Sequence, residues 1–290
     1  MAFAARARFA WRLRTRKLML GERTLLMAIV NLTPDSFSGD GLAGAALDDA
    51  VRAACERLDA GADILDLGAE STRPGAEALG ADAEQARLRP VLEAVRRERP
   101  EAVISVDTYH AATARQAVRA GAEIVNDVSG LLWDDAMTAT VAQSGAGLVL
   151  MHTRGRPREW RSQPRLAATE VLPLVLSGLW ERLAFAEASG IEGERIVLDP
   201  GFGFGKLDAE NFALLGGFAR LKELGMPLLA GLSRKSFLRS ANESVSSRMS
   251  ATIAANVAAV LAGAHIVRVH DVQQAREAVA VADALLAPWT

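Results

Sequence analysis

The chain has one cysteine and few histidines. With Cys55 alone, an intramolecular disulfide is excluded. Because Cys55 lies in an Ala/Leu/Val helical pattern, we interpret it as a core thiol rather than a nucleophile, and the scarcity of cysteine favours a cytoplasmic location. The chain has four histidines, and the pair near predicted strand ends, His152 and His270, is too sparse for a dedicated zinc site. No Ser-His-Asp or Cys-His spacing supports nucleophilic catalysis.

The chain also lacks an excess of charge and a long apolar run. A net charge of −2 over 290 residues provides no field for nucleic acid or for an anionic membrane, so we expect neither as a partner. No apolar run approaches the roughly 20 residues that span a bilayer.

The N-terminus is basic but has no apolar core typical of a signal peptide. Phe9, Trp11 and Leu13 alternate with basic residues, and Gly21 follows, which predicts a short β-hairpin within an extension of residues 1–23. A transit peptide or a tail that binds an anionic surface is the alternative.

From residue 24 a unit of apolar strand, polar loop and amphipathic helix repeats. The first helix is predicted at Ala46–Ala60, and Gly residues close several later helices. Eight such units predict one α/β domain, a (β/α)8 barrel over residues 24–290; a doubly wound open sheet is the alternative. The predicted strands are Leu26–Val30, Ile64–Gly68, Val103–Val106, Ile124–Val125, Gly147–Met151, Arg195–Leu198, Leu228–Leu232 and Ile266–Val269.

A polar residue follows each predicted strand, and in a barrel these ends share the face where active sites are built. Asp107, Asn126 and Asp199 offer acceptors to a flat ligand with several N–H donors. Arg268 and His270 are two apart, so both point to one side and could hold a phosphate. Asn31 supplies a hard oxygen suited to Mg²⁺ bridged to phosphate oxygens.

Lysine is rare, since only four of the 33 Lys and Arg residues are lysine, yet Lys206 and Lys235 both follow predicted strands. This choice indicates a need for a compact ammonium at the barrel mouth, although for Lys206 an ordinary surface role is an alternative. Two nucleotide-binding patterns are excluded. The run Gly201–Gly205 lacks the G-x-G-x-x-G spacing, and Lys206 is followed by Leu207 instead of the Ser or Thr of a phosphate loop.

These motifs together resemble the dihydropteroate synthase family of folate biosynthesis, in the right order from about residue 24 to 285. The chain departs from the family pattern at residues 37–41 and after His152. The motifs are Asn31-Leu-Thr-Pro-Asp-Ser-Phe-Ser38, Asp66-Leu-Gly-Ala-Glu-Ser-Thr-Arg-Pro-Gly75, Ser105-Val-Asp-Thr108, Asn126-Asp-Val128, Leu150-Met-His152, Asp199-Pro-Gly-Phe-Gly-Phe-Gly-Lys206, Ser233-Arg-Lys-Ser-Phe237 and Arg268-Val-His-Asp-Val272.

The resemblance implies a transferase that condenses 6-hydroxymethyl-7,8-dihydropterin diphosphate with 4-aminobenzoate, is a sulfonamide target and forms a homodimer. It also implies that diphosphate leaves before the arylamine attacks. Asp107, Asp199, Lys235 and Arg268 would be catalytic and, with Asn126, would bind the pterin. Asn31, Arg268 and His270 would bind the diphosphate, with Asn31 as the Mg²⁺ ligand. The aminobenzoate site and its loops would comprise Asp35, Phe37, Thr72, Arg73, Pro74, Phe204 and Ser233.

Two rival functions stay open at this point. A pterin-barrel methyltransferase acting on methyltetrahydrofolate and a corrinoid needs no diphosphate site, so Asn31, Arg268 and His270 argue against it. A pterin-binding protein without catalysis would also carry the charged residues of the mouth, and only turnover distinguishes it.

Overall fold

The computed structural model describes residues 5–32, 43–70, 79–238 and 248–287. Asp35, Phe37, Thr72, Arg73 and Pro74 lie outside the described residues. The strands are β1 (Phe9–Arg12), β2 (Lys17–Leu20), β3 (Leu25–Asn31), β4 (Ile64–Gly68), β5 (Val103–Asp107), β6 (Ile124–Asp127), β7 (Gly147–Met151), β8 (Ile196–Asp199), β9 (Leu229–Ala230) and β10 (Ile266–Val269). The helices are α1 (Ala43–Asp59), α2 (Ala81–Glu98), α3 (Ala111–Arg119), α4 (Met137–Ser144), α5 (Ala168–Ala188), α6 (Ala209–Gly216), α7 (Arg248–Ala262) and α8 (Val272–Leu286).

The last eight of these strands form one parallel sheet in the order β8-β7-β6-β5-β4-β3-β10-β9. Its two edges meet at a parallel bridge between Leu198 and Leu228, where the Leu198 N–H donates to the Pro227 carbonyl at 2.9 Å. The sheet is therefore a barrel, and the predicted (β/α)8 fold is confirmed. The open-sheet alternative is excluded.

Several predicted boundaries differ from the structure by one to three residues. The first helix begins at Ala43 instead of Ala46. The seventh barrel strand was predicted at Leu228–Leu232 but β9 spans only Leu229–Ala230, since it pairs with β10 at two positions and the chain turns away after Ala230. Two other strands extend one residue beyond their predicted ends, so that Asp107 and Asp199 are the last residues of β5 and β8. These carboxylates are thus carried by the rigid sheet and not by loops.

The predicted N-terminal hairpin is confirmed, with β1 antiparallel to β2. Its apolar residues Trp11, Leu13 and Leu20 close the amino-terminal end of the barrel. There they pack with a cluster that we call the interior layer: Leu25, Met27, Ile64, Val103, Ile124, Val149, Val197, Leu229 and Ile266. The Trp11 Nε1–H donates to the Arg195 carbonyl at 2.8 Å. One end of the barrel is therefore sealed, which leaves the carboxyl ends of the strands for a site.

Cys55 is buried in the outer core between the strands and helices, as predicted. Within the described ranges, no helix combines the length and apolarity needed to cross a membrane.

Candidate functional site

Several polar side chains occupy the inner wall of the barrel above the interior layer. Side chains two or four positions apart on a strand point to the same face. Each of these polar side chains therefore points into the barrel, like an apolar side chain earlier on its strand. Asp107 follows Val103 in this way, and Arg268 follows Ile266. By the same alternation the wall also carries Asn31, Asp66, Asn126 and Asp199.

Strand register brings several of these residues into one row. Asn31 is level with Gly68, Gly68 with Asp107, and Asp107 with Asn126. Gly68 matters here because a Cβ at this position would lie 3.3 Å from the Asp107 Cβ. Its missing side chain leaves room for the Asp107 carboxyl group between the strands.

Arg268 joins the wall into a charged cluster. Its Nε donates to Asp66 Oδ2 at 2.6 Å, and its Nη2 donates to Asp107 Oδ2 at 2.6 Å. Asn126 Nδ2 donates to the same Asp66 oxygen at 3.0 Å. Three of the predicted pterin residues are thus brought together, and Asp66 is the residue that links them.

Asp66 was not predicted as a site residue, because the sequence pattern points to the polar residue that follows each strand. Asp66 lies inside β4, two residues before its end, and is completely buried. The available signal was a carboxylate in the middle of the apolar run Ile64–Gly68, since an isolated buried charge is very costly unless it is paired.

Two buried acceptors on this wall have no hydrogen-bond partner among the described residues: Asp66 Oδ1 and Ser105 Oγ. The two residues are level with each other on adjacent strands. Buried polar atoms are nearly always hydrogen-bonded, and those that are not require an explanation. A ligand or water with N–H or O–H donors entering the barrel would satisfy both.

Burial changes the protonation of the cluster. It raises the pKa of Asp107 to about 7, against the opposing effect of Arg268. Burial alone would lower the pKa of Arg268, but Asp66 and Asp107 outweigh it, so the net shift is upward. Arg268 therefore stays charged, while Asp107 titrates near neutrality.

Asp199 and Lys235 form the opposite side of the mouth. Burial raises the pKa of Asp199, and the Gly201 N–H, 2.7 Å from Asp199 Oδ1, opposes that rise. Burial lowers the pKa of Lys235 to about 8, against the attraction of Asp199. The Lys235 Nζ lies 4.3 Å from the centre of the Phe204 ring, a cation–π contact that ties two predicted site residues together.

Lys206, in contrast, holds the glycine-rich loop. Its buried Nζ donates to the carbonyls of Gly201 at 2.8 Å, His152 at 3.2 Å and Phe204 at 3.3 Å. Gly201 has φ +68°, and a Cβ there would lie 2.0 Å from the His152 carbonyl oxygen. The ammonium therefore fixes the loop that presents Phe204, and the Lys206 side chain is committed to backbone carbonyls.

Ser233 and His270 contact each other at the mouth. Ser233 Oγ accepts from the His270 backbone N–H at 3.2 Å and lies 3.0 Å from His270 Nδ1. Burial, with Arg234 and Arg268 nearby, lowers the pKa of His270 to about 3. His270 is therefore neutral at physiological pH and offers hydrogen bonding without a charge.

A second polar group beside the mouth was also missed from the sequence. Tyr109 and His110, two and three residues after the end of β5, contact Glu70, two residues after the end of β4. They border a groove of about 810 Å³ that we call the rim groove. It is lined chiefly by Leu79, Tyr109, His110, Leu132, Trp133 and Arg156.

Comparison with known proteins gives consistent matches over the barrel. A family model described as "Pterin binding enzyme" matches residues 27–270. The dihydropteroate synthase of Escherichia coli K12 is 41% identical over 262 residues, covering 90% of this chain and 91% of that protein. That of Bacillus subtilis 168 is 41% identical over 266 residues, covering 91% and 90%.

Solved structures similar to this chain are also dihydropteroate synthases. Xanthomonas albilineans dihydropteroate synthase with 4-aminobenzoic acid has a TM-score of 0.87 and 40% identity, covering 96% of this chain and 99% of that one. Yersinia pestis dihydropteroate synthase in a sulfonamide drug complex has a TM-score of 0.87 and 36% identity, covering 95% and 98%.

Proposed function

This chain belongs to the dihydropteroate synthase family of pterin-binding enzymes, and we propose that it condenses 6-hydroxymethyl-7,8-dihydropterin diphosphate with 4-aminobenzoate. The products are 7,8-dihydropteroate and diphosphate, as in folate biosynthesis. The observation that carries the proposal is the largely buried cluster of Arg268, Asp66, Asp107 and Asn126, in which Asp66 Oδ1 has no hydrogen-bond partner among the described residues.

The inner wall suits a pterin ring. A pterin presents an amino group and ring N–H groups along one edge, and the carboxylates of Asp107 and Asp199 can accept from them. Asn126 supplies both a donor and an acceptor. Arg268 and Lys235 complete the pterin site, where Arg268 can cover the face of the ring. Asp66 would add its Oδ1, which has no partner among the described residues, to this set.

The aminobenzoate would bind nearer the mouth. Phe204 and Ser233 are the described members of that site, and Lys235 lies against the Phe204 ring. We assign Asp35, Phe37, Thr72, Arg73 and Pro74 to the same region from the family pattern alone.

The chemistry requires charge stabilisation rather than a strong base, because an arylamine attacks as the neutral amine. We propose that the bond from the pterin methyl carbon to the diphosphate oxygen breaks first. The amine then captures the resulting cation and loses one N–H proton to water or to the departing diphosphate. In their ionised forms, the carboxylates of Asp107 and Asp199 would stabilise that delocalised cation. Arg268 and His270 would bind the departing diphosphate, so each charge that develops faces an opposite charge or a donor.

The Ser233 contact gives His270 a defined role. Since Ser233 Oγ accepts the His270 backbone N–H, its own hydrogen can be donated to His270 Nδ1. The proton of the neutral imidazole then resides on Nε2, where it can be donated to a phosphate oxygen.

Mg²⁺ fits this wall only as a partner of the substrate. No cluster of three or more His, Cys, Asp or Glu side chains able to hold a metal occurs in the described part of the chain. Mg²⁺ commonly uses few protein ligands together with substrate phosphates and water. Asn31, which ends β3 on the inner wall, offers the oxygen that would hold it, and the bound ion would neutralise the diphosphate as it leaves.

The experiment that tests this function is diphosphate release by the purified chain with pterin diphosphate and Mg²⁺. We expect release that depends on added 4-aminobenzoate and equals the dihydropteroate formed. Tight pterin diphosphate binding without release would favour the non-catalytic alternative. Methyl transfer from methyltetrahydrofolate to a corrinoid would favour the methyltransferase alternative.

We further propose that the protein works in the cytoplasm as a homodimer. In α8, Val272, Ala275 and Val279 pack inward, whereas Val281 is 64% exposed and Leu285 is 40% exposed. These two residues are four apart, so they share an outward face that a second copy would cover. Light scattering should give the mass of two chains, and Val281→Glu should lower it to one.

A further inference from the structure

The Phe204 ring contacts side chains from two other connections of the barrel. Lys235, which follows β9, places its Nζ 4.3 Å from the centre of the ring. Trp160, between β7 and α5, packs edge-on against the same ring, with centroids 4.9 Å apart and the planes at 74°. Trp160 is 4% exposed, whereas Phe204 is half-buried. Trp160 is therefore a buried support for a ring that keeps part of its surface open.

Trp160 is itself fixed by its own connection. It lies in a short 3₁₀ helix, Pro157–Ser162, and its Nε1–H donates to the Gly155 carbonyl at 3.0 Å. Aromatic pairs favour an edge-on arrangement with centroids roughly 4.5–7 Å apart. The indole can therefore hold the orientation of the Phe204 ring as well as fill the space behind it.

Arg154, earlier in the same connection, fixes the backbone that carries the ring. Its N–H donates to the Phe204 carbonyl at 3.3 Å. Its Nη1 donates to the Gly205 carbonyl at 3.0 Å and to Glu210 Oε2 at 3.3 Å. Gly205 has φ +72°, and a Cβ there would lie 2.6 Å from the Arg154 Cβ. The backbone on the carboxyl side of Phe204 is therefore packed closely against Arg154.

We propose that Trp160 and Arg154 are positioning residues for 4-aminobenzoate, acting through Phe204. Trp160 orients the Phe204 ring, and Arg154 fixes the backbone below it, so neither needs to touch a substrate. A benzene ring packs well on Phe204 only if that ring keeps a defined orientation. Arg154 lies after His152, where the chain departs from the family pattern, so this support is built by residues outside the family motifs. The inference rests on the proposed function.

The test is steady-state kinetics with each substrate varied separately, on the full chain and its variants. Trp160→Leu removes the edge-on ring and should raise the KM for 4-aminobenzoate about fivefold, the size of one aromatic pair. Trp160→Phe keeps an aromatic ring at this position and should hold that KM within about twofold. The KM for pterin diphosphate should stay within about twofold in both variants, because the inner-wall residues are unchanged.

A double-mutant cycle distinguishes positioning from a general loss of stability. If Trp160 acts through Phe204, its effect should vanish once the Phe204 ring is removed. Adding Trp160→Leu to Phe204→Leu should therefore change the KM for 4-aminobenzoate less than twofold.

Arg154 provides an independent variant, and Phe9 provides the control. Arg154→Met keeps an apolar stem but loses the donors to Gly205 and Glu210, and should raise the KM for 4-aminobenzoate about tenfold. Phe9 also makes an edge-on aromatic contact, with His265, at 5.3 Å between centroids and 74° between planes. Because the hairpin that carries Phe9 closes the opposite end of the barrel, Phe9→Leu should leave both KM values unchanged.

The outcomes separate this inference from the proposed function. A wild-type protein that forms no dihydropteroate would overturn the proposed function and this inference with it. An active wild type whose Trp160→Leu and Arg154→Met variants melt at a lower temperature but keep the KM for 4-aminobenzoate would overturn this inference alone. Equal increases in both KM values, the same increase in Phe9→Leu, or a further fivefold increase when Trp160→Leu is added to Phe204→Leu would also overturn it.

Discussion

Replacing Asp66 with Asn tests whether the ion pairs of Arg268 with Asp66 and Asp107 stabilise the protein and set the pKa of Asp107. The substitution keeps the shape but removes the charge that pairs with Arg268 Nε at 2.6 Å. Among the described residues, Arg268 then keeps one ion-pair partner, Asp107, also at 2.6 Å. Removing one partner of a buried ion pair typically costs about 3–5 kcal/mol. Because Asp107 remains, we expect Asp66→Asn to lose about 2–3 kcal/mol of unfolding free energy.

The same substitution should change the pH dependence in a predictable direction. Burial raises the pKa of Asp107 to about 7, and the negative charge of Asp66 adds to that rise. If ionised Asp107 is required, wild-type kcat/KM for pterin diphosphate falls as pH drops through about 7. Without the charge at position 66, the pKa of Asp107 falls, and the acid limb should move to lower pH.

The assays are urea denaturation and a kcat/KM profile from pH 5 to 9. Asp49→Asn is the control, because it removes a carboxylate from an exposed pair with Arg52. Exposed pairs contribute at most about 1 kcal/mol. An acid limb that stays in place or moves to higher pH in Asp66→Asn would refute the coupling of Asp66 to Asp107. A stability loss no larger than the control's would refute the pairing.

Two further predictions concern other parts of the barrel. Asp199→Asn should lower kcat about 10²–10³-fold, as for other groups that stabilise a charged transition state. The affinity for diphosphate should fall much less. Equal losses of kcat by kinetics and of affinity by calorimetry would contradict the role of Asp199 toward the cation. Arg6→Ala should lower the free energy of unfolding by about 3 kcal/mol in urea denaturation and leave kcat unchanged. The reason is that the buried Arg6 guanidinium donates to Thr24, to the Ala264 carbonyl and to Asp283, far from the site. An unchanged denaturation midpoint would contradict this anchoring.

The fold was predictable from the sequence because each barrel strand is a short apolar run that ends in a polar residue. The order of the units and the positions of β4, β7 and β10 follow directly from that pattern. The end of β9 did not, since the run Leu228–Leu232 reads as one strand. Its length is set by pairing with β10 at only two positions, and pairing is a tertiary property.

The site was predictable only in part. Asp107, Asn126 and Arg268 are recognisable because their strands end nearby, and the structure places them in one cluster. Asp66 was hidden inside an apolar strand, where its role depends on Arg268, 202 residues later. The role of Lys206 was equally unpredictable from the sequence. Only the folded structure shows that the Lys206 Nζ donates to three backbone carbonyls.

The most direct test of the central claim is a crystal structure with pterin diphosphate and Mg²⁺ bound. We predict the pterin ring inside the barrel mouth, with its N–H groups about 2.7–3.2 Å from carboxylate oxygens of Asp107 and Asp199. Asp66 Oδ1 should gain a hydrogen-bond partner in that complex. A pterin bound in the rim groove beside Trp133, with the inner-wall carboxylates uncontacted, would contradict the account.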